Sequence, residues 1–220
     1  FKSDFASLPE NITATDNGGV LEVILNNYNS SVPLSVCAPN GVNITLNGNN
    51  KICYETSQKS VYSPVNVTFS GSGNLYSGVI ETAELTINNS SLNISTGNAV
   101  GNGYALKTAF TSSAMVNINT KFDNAIELTG SSTIKSGEIN IANAVTGISG
   151  NFTLTVKDRL KITDCEYGIT VGKVNVFENA NPPTGECRWR HRMIVCLRRS
   201  ELRSGRNLMS HIHRHGDGIF

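Results

Sequence analysis

The chain has 220 residues, of which 39% are apolar and only 16% charged, against about 25% charged in ordinary soluble domains. It is long enough for one domain or one domain with an appendage, and it lacks the run of about 18 apolar residues that a membrane-spanning helix needs. The net charge of +1 hides a break: residues 1–186 carry nine Lys and one Arg against fifteen acids, whereas residues 187–220 carry eight Arg, two acids, all four His and the only Trp, Trp189.

With so few charges, the surface must be covered by other polar groups. The chain supplies 27 asparagines together with abundant Ser, Thr and Gly. That balance points to an exported solenoid rather than a cytosolic enzyme. The expected location is extracellular or at the cell surface, with a signal peptide already removed so that Phe1 begins the mature chain.

In chain order, residues 1–40 read as a lead-in or N-terminal cap. Residues 41–178 then carry short runs that alternate an apolar residue with Asn or Thr. A first set is Val42–Leu46, Val65–Phe69, Leu85–Ile87, Val116–Ile118, Phe152–Val156 and Val174–Val176. In a strand this alternation puts the apolar residues on one face and the small polar residues on the other. A second set follows within each unit: Leu92–Ile94, Ile139–Ile141 and Leu160–Ile162. A third set comes next: Gly103–Leu106, Asn124–Leu128, Val145–Ile148 and Tyr167–Val171. The units recur at about 18–23 residues, the period of one solenoid coil. Three short strands per turn, joined by Gly, Asn and Ser bends, predict a three-faced coil that buries its apolar side only by stacking on others. A β-sandwich is the rival reading, and Asn40-Gly41 and Asn47-Gly48 allow a hairpin in the first 60 residues.

The segment Leu160-Lys161-Ile162-Thr163-Asp164-Cys165-Glu166-Tyr167-Gly168-Ile169-Thr170-Val171 resembles the parallel β-helix repeat of pectin-lyase-like proteins: a strand, an Asn or Asp turn, then an aromatic-Gly-Ile strand. Residues 116–130 and 134–150 look like looser copies. Residues 40–178 also resemble the Asn/Thr-rich surface solenoids of gut bacteria and methanogens, described as adhesin-like or carbohydrate-binding. The resemblance implies an all-β, right-handed parallel β-solenoid with three short strands per coil. It says little about activity, because one fold hosts many functions.

Catalysis on this fold needs carboxylates close together, about 5–10 Å apart in glycoside hydrolases. The candidates are Asp158 and Asp164, with Lys157 and Arg159 beside them. Asp123, Glu127 and Glu138 lie in earlier coils, and no Asp-x-Asp pair occurs. Lys157, Arg159 and Lys161 have period two, so they are expected on one strand face, either gripping an acidic sugar or simply solvated. Tyr104 and Tyr167 precede the third strand of their coils, where they would stack on a sugar or pack a corner. Eight Asn-x-Ser/Thr sequons are present, close to the number chance would give in so Asn-rich a chain. Cys37 and Cys53 flank one unit and would pair outside the cell, unless they are buried thiols.

Residues 179–186 read as a linker, and residues 187–220 as a basic His/Arg-rich tail. His211, His213 and His215 alternate, with Asp217 in phase, and would hold a divalent metal if that stretch were a strand. The arginines would suit an anionic polymer, although nucleic acid fits poorly with the acidic body. A C-terminal cap and a reading-frame artefact explain the tail equally well.

The expectation is a non-catalytic surface or secreted module that binds a glycan or cell-surface partner. Its alternatives are a subunit that self-assembles through its coil ends, and a polysaccharide lyase or hydrolase.

Overall fold

Two consecutive glycines decide how the chain enters its fold. The computed structural model describes residues 8–177. In it β1 (Ile12–Asn17) turns back on β2 (Val20–Asn26), with Asn17 opposite Val20. Gly18 and Gly19 form the two-residue loop with φ of +61° and +87°. Positive φ at both central positions is what a type I′ hairpin turn demands, and glycine supplies it without a Cβ penalty. This is the one antiparallel pairing among the described strands; every later pairing is parallel.

From β2 the chain winds. It crosses a second face as β3 (Asn29–Ser30) and a third as β4 (Leu34–Ser35), then returns as β5 (Val42–Asn47) on top of β2, with Leu21 beside Val42. Coil two adds β6 (Asn49–Ile52) and β7 (Lys59–Ser63). The next adds β8 (Val67–Ser70), β9 (Asn74–Ser77) and the first half of β10 (Val79–Asn88). In mid-molecule the corners are extended enough for strands to run through them. Thus β10 serves the third and first faces, β11 (Ser91–Ser113) serves all three, and β12 (Met115–Leu128) serves the second and third. The remaining coils are built from β13 (Ser132–Ile134), β14 (Glu138–Ala142), β15 (Thr146–Ser149), β16 (Thr153–Val156), β17 (Arg159–Thr163) and β18 (Tyr167–Thr170). β19 (Lys173–Val176) opens a further coil. The result is an all-β parallel solenoid of about seven turns, with no helix among the described residues.

Three boundaries differ from the sequence reading. The coils begin at Val20, so the lead-in expected over 1–40 shrinks to the β1 hairpin strand; β2 was missed because its upper half is only part-buried and alternates weakly. Asn40-Gly41 and Asn47-Gly48 do not form hairpins. Their glycines take φ of +107° and +66° at coil corners. Val116–Ile118 belongs to the second face, stacked between Leu92–Ile94 and Ile139–Ile141. The first-face strand of that coil is Phe110-Thr111-Ser112, whose two hydroxyl residues conceal it from an apolar pattern.

The core is a set of side-chain files running along the axis. Ile44, Phe69 and Ile87 stack on the first face. Leu75, Leu92, Val116, Ile139 and Leu160 stack on the second. Val61, Ile80, Leu106, Ile126, Ile148 and Ile169 stack on the third. Some polar residues also point inward and pair one coil away: Thr82 pairs with Thr108 at 2.9 Å and Thr96 with Thr120 at 2.7 Å. A hydroxyl is tolerated in the interior when the next coil satisfies it.

Corner approach is close enough to dictate residue type. A Cβ on Gly78 would lie 2.6, 2.8 and 2.9 Å from the backbone oxygens of Cys53, Thr56 and Gln58. These atoms belong to the coil below and cannot move independently. Gly78→Ala is therefore expected to cost about 1–3 kcal/mol, the usual range for overpacking, read as a lowered urea midpoint. A midpoint equal to that of the unsubstituted protein would mean that the corner is loose.

The disulfide expected between Cys37 and Cys53 is not formed. Cys37 is exposed beyond β4, toward the first face. Cys53 is buried at the corner after β6, where its φ is +44° and its thiol donates to the Ser31 carbonyl at 3.1 Å. The two thiols serve different corners, and burial pushes the Cys53 pKa upward.

Candidate functional site

Outward-facing residues repeat once per coil, so each face carries files of side chains about 4.8 Å apart. The second face has the most varied chemistry. Lys51 and Tyr76 occupy one register position in successive coils, and Asn49 and Asn74 occupy the position two residues earlier. Tyr54 reaches the same area from the corner. It sits between Cys53 and Glu55, both at positive φ, which turns the chain outward. The Thr56 hydroxyl fixes the bend by donating to the Cys53 carbonyl at 2.7 Å. Tyr54 and Tyr76 meet edge to face, with ring centroids 5.5 Å apart at 85°, and the Lys51 ammonium lies 5.4 Å from the Tyr54 ring centre.

Amides complete this site. Asn74 Nδ2 donates to Asn49 Oδ1 at 2.8 Å, and the Asn49 backbone N–H donates to Asn27 Oδ1 at 2.9 Å. Asn27, Asn29 and Asn49 line, with Lys51, Tyr54 and Tyr76, an open depression of about 520 Å³. It offers two aromatic rings, one cation and several neutral amides. Such a set suits a hydroxyl-rich ring, which stacks on an aromatic face and exchanges hydrogen bonds with amides that both donate and accept.

A second cluster lies on the third face. Glu81, Lys107 and Glu127 stack in one file. Lys59 pairs with Glu81 at 2.6 Å and Lys107 with Glu127 at 2.7 Å. The Tyr104 hydroxyl donates to Glu81 Oε2. Lys107 also lies 5.0 Å from the Tyr104 ring centre, and Lys59 lies 5.3 Å from that of Tyr62. Burial alone would raise the Glu81 carboxyl, but hydrogen bonds from Lys59 and Tyr104 and the charges of Lys59 and Lys107 outweigh it and hold it below the usual range. Burial, then the Glu81 hydrogen bond and charge, push Tyr104 upward. The hydrogen bond to Glu127 raises Lys107. At neutral pH the acid is ionised, the phenol protonated and the amine charged. A glycosidase general acid needs the opposite, a carboxyl held protonated, so Glu81 is not poised for that role.

The Glu81 shift has a direct consequence. A carboxyl whose folded pKa is depressed contributes stability above its unfolded value, near 4.5, and loses it as pH falls through the folded value. Glu81→Gln is expected to flatten the decline in melting temperature below pH 4.5, by a modest amount because Lys59 is half exposed and screened. Parallel acid profiles for the two proteins would remove Glu81 as a contributor.

The residues singled out from sequence are placed as follows. Tyr104 and Tyr167 do share a file, but Asn124 and Thr146 stand between them, so they make no continuous aromatic platform. Arg159 and Lys161 share the outer face of β17, whereas Lys157 lies at the preceding corner with its ammonium 4.9 Å from the Phe177 ring centre. The three-residue basic stripe is thus only two residues long. Arg159 is engaged by Glu138 at 3.1 Å and Asp158 at 3.8 Å.

Asp158 Oδ2 accepts from the Gly137 N–H at 2.7 Å, which ties one coil to the next. Asp164 has φ of +54° and forms the opposite corner of β17. The two aspartates lie at opposite ends of that five-residue strand, roughly 20 Å apart at about 3.3 Å per residue. They cannot act on one glycosidic bond. His211, His213 and His215 lie outside the described residues. Among the described residues no group of three or more His, Cys, Asp or Glu is arranged to hold a metal ion, and no helix is long and apolar enough to cross a membrane.

Lys51, Tyr54 and Tyr76 escaped the sequence reading. The signal was present in Asn49-x-Lys51 and Asn74-x-Tyr76, which stand one coil apart, but the coil register was needed to see it. No protein-family model matches the chain, no curated protein is significantly similar to it, and no solved structure matches its fold at a significant level.

Proposed function

We propose that this solenoid is a non-catalytic extracellular binding module, adhesin-like in the sense that it presents glycan-contacting side chains on a rigid scaffold. The observation that carries this reading is the second-face depression, where Tyr54, Tyr76 and Lys51 meet the amides of Asn27, Asn29 and Asn49. Rings held by an edge contact and by strand backbone lose little freedom on binding, which favours the complex. A polysaccharide lyase or hydrolase has less support: Asp158 and Asp164 serve separate corners, and Glu81 and Glu127 are held in ion pairs.

Assembly through coil ends also has less support at the N-terminal end. There β1 runs antiparallel over β2 and breaks the parallel register that a second copy would continue, while β3 and β4 offer only two residues each. Short strands blunt an edge.

A glycan array probed with the purified chain, followed by binding to whole cells, tests the proposal. Binding to at least one glycan is expected, and Tyr76→Ala should weaken it at least tenfold. Absence of signal on every glycan and cell would overturn the reading.

A further inference from the structure

We infer that the second face is a track for a single linear, neutral polysaccharide chain lying parallel to the solenoid axis, with the tyrosine depression as one end of it. This deepens the glycan-binding reading and rests on it.

The track is one register position repeated through six strands: Lys51, Tyr76, Asn93, Asn117, Asn140 and Lys161. Each residue points outward from its strand, since the residues on either side of it in every strand interior are buried. Five strand steps at about 4.8 Å make the file roughly 24 Å long. A ligand that matches it must be extended and must repeat at about the spacing of the coils. A chain of pyranose rings joined through opposite sides of each ring meets both conditions.

The asparagines specify the chemistry. Asn140 Nδ2 donates to Asn117 Oδ1 at 3.0 Å, and Asn117 Nδ2 donates to Asn93 Oδ1 at 2.9 Å. Each carboxamide has two N–H donors and two acceptor lone pairs. The ladder uses one donor and one lone pair of Asn117, which leaves one of each on its free edge. The ladder also fixes the orientation of the amides, so they need no ordering when a ligand arrives. Sugar hydroxyls, which donate and accept, match this edge, whereas a carboxylate could use only its donor half.

Charge supports a neutral chain. No ionic group interrupts the file between Lys51 and Lys161. Glu138, in the neighbouring file, is already paired with Arg159. Cations stand only at the two ends, so an acidic repeat would leave its central carboxylates facing amides with no counter-charge.

The test measures affinity by calorimetry for the full chain against β-1,4-linked gluco- and manno-oligosaccharides of two to eight units, with oligogalacturonates of equal length as the charged comparison. For at least one neutral series, affinity should rise with length until the chain spans the file, by at least tenfold from the dimer to the hexamer. Asn140→Leu should reduce hexamer affinity to that of the dimer, while Thr133→Leu, on the outer side of the first face, should leave the series unchanged. Melting curves confirm that each variant is folded. Affinity that does not grow with length in either neutral series overturns the track, as does tighter binding of oligogalacturonate than of every neutral chain. If short sugars bind, lose affinity in Tyr76→Ala, and show no dependence on length, the glycan-binding reading survives and the track does not. Failure of every saccharide to bind overturns both.

Discussion

Replacing Phe69 by alanine is expected to remove about 3–5 kcal/mol of stability, the range for truncating a buried aromatic residue. Phe69 is 1% exposed and is the largest of the fully buried side chains among the described residues. It stacks between Ile44 of the coil below and Ile87 of the coil above. In a stacked array each coil gains stability mainly from its two neighbours. A hole here therefore weakens two interfaces and cannot be refilled from a distant part of the molecule. At roughly 2–4 °C per kcal/mol for a chain of this size, the melting temperature should fall by about 10 °C. Calorimetry checks this, and a fall of under 2 °C would mean that the file repacks around the cavity.

A second large effect is expected at a polar residue. Asn50 is completely buried. Its Oδ1 accepts from the Tyr28 N–H at 2.9 Å, and its Nδ2 donates to the carbonyls of Asn47 and Asn74 at 3.2 and 3.3 Å. One side chain thus bonds to backbone groups of three successive coils beside a corner. Asn50→Leu keeps the volume and removes all three bonds; the Asn47 carbonyl keeps the Asn27 N–H at 3.0 Å, but the Tyr28 N–H loses the Asn50 acceptor. Each unsatisfied buried group costs about 1–3 kcal/mol, so a loss of about 2 kcal/mol or more is expected in urea unfolding. Asn47→Ala is the contrast. Its side chain bridges to Asn26 at 2.8 Å on the exposed surface, and its removal should cost under about 0.5 kcal/mol. Equal costs for the two would show that burial at the corner is not what makes Asn50 matter.

The contrast between these two asparagines explains much of what could be read in advance. Both lie in an Asn-rich stretch and look alike in the sequence. Only the corner geometry separates the buried bridge from the surface rung. The same holds for Asp158 and Asp164, which stand six residues apart and were plausible partners in catalysis. A five-residue strand lies between them and holds them at opposite corners. Tyr76 and Lys51 are the reverse case, 25 residues apart in sequence and adjacent in the sheet.

By itself the sequence determined the solenoid. Period-two alternation in Leu92–Ile94, Ile139–Ile141 and Leu160–Ile162 fixes which side of each strand is apolar, and the recurrence of such runs lets those sides stack. Local patterning is enough for that, because each coil contacts only its neighbours. Register across coils was decided by the tertiary structure. Coil length varies with the corners, so a count of residues could not place Val116 on the second face or start the coils at Val20. Functional chemistry in this fold depends on that register. Side chains that meet across strands come from different coils, and the corner insertions that set their alignment leave no periodic mark on the chain.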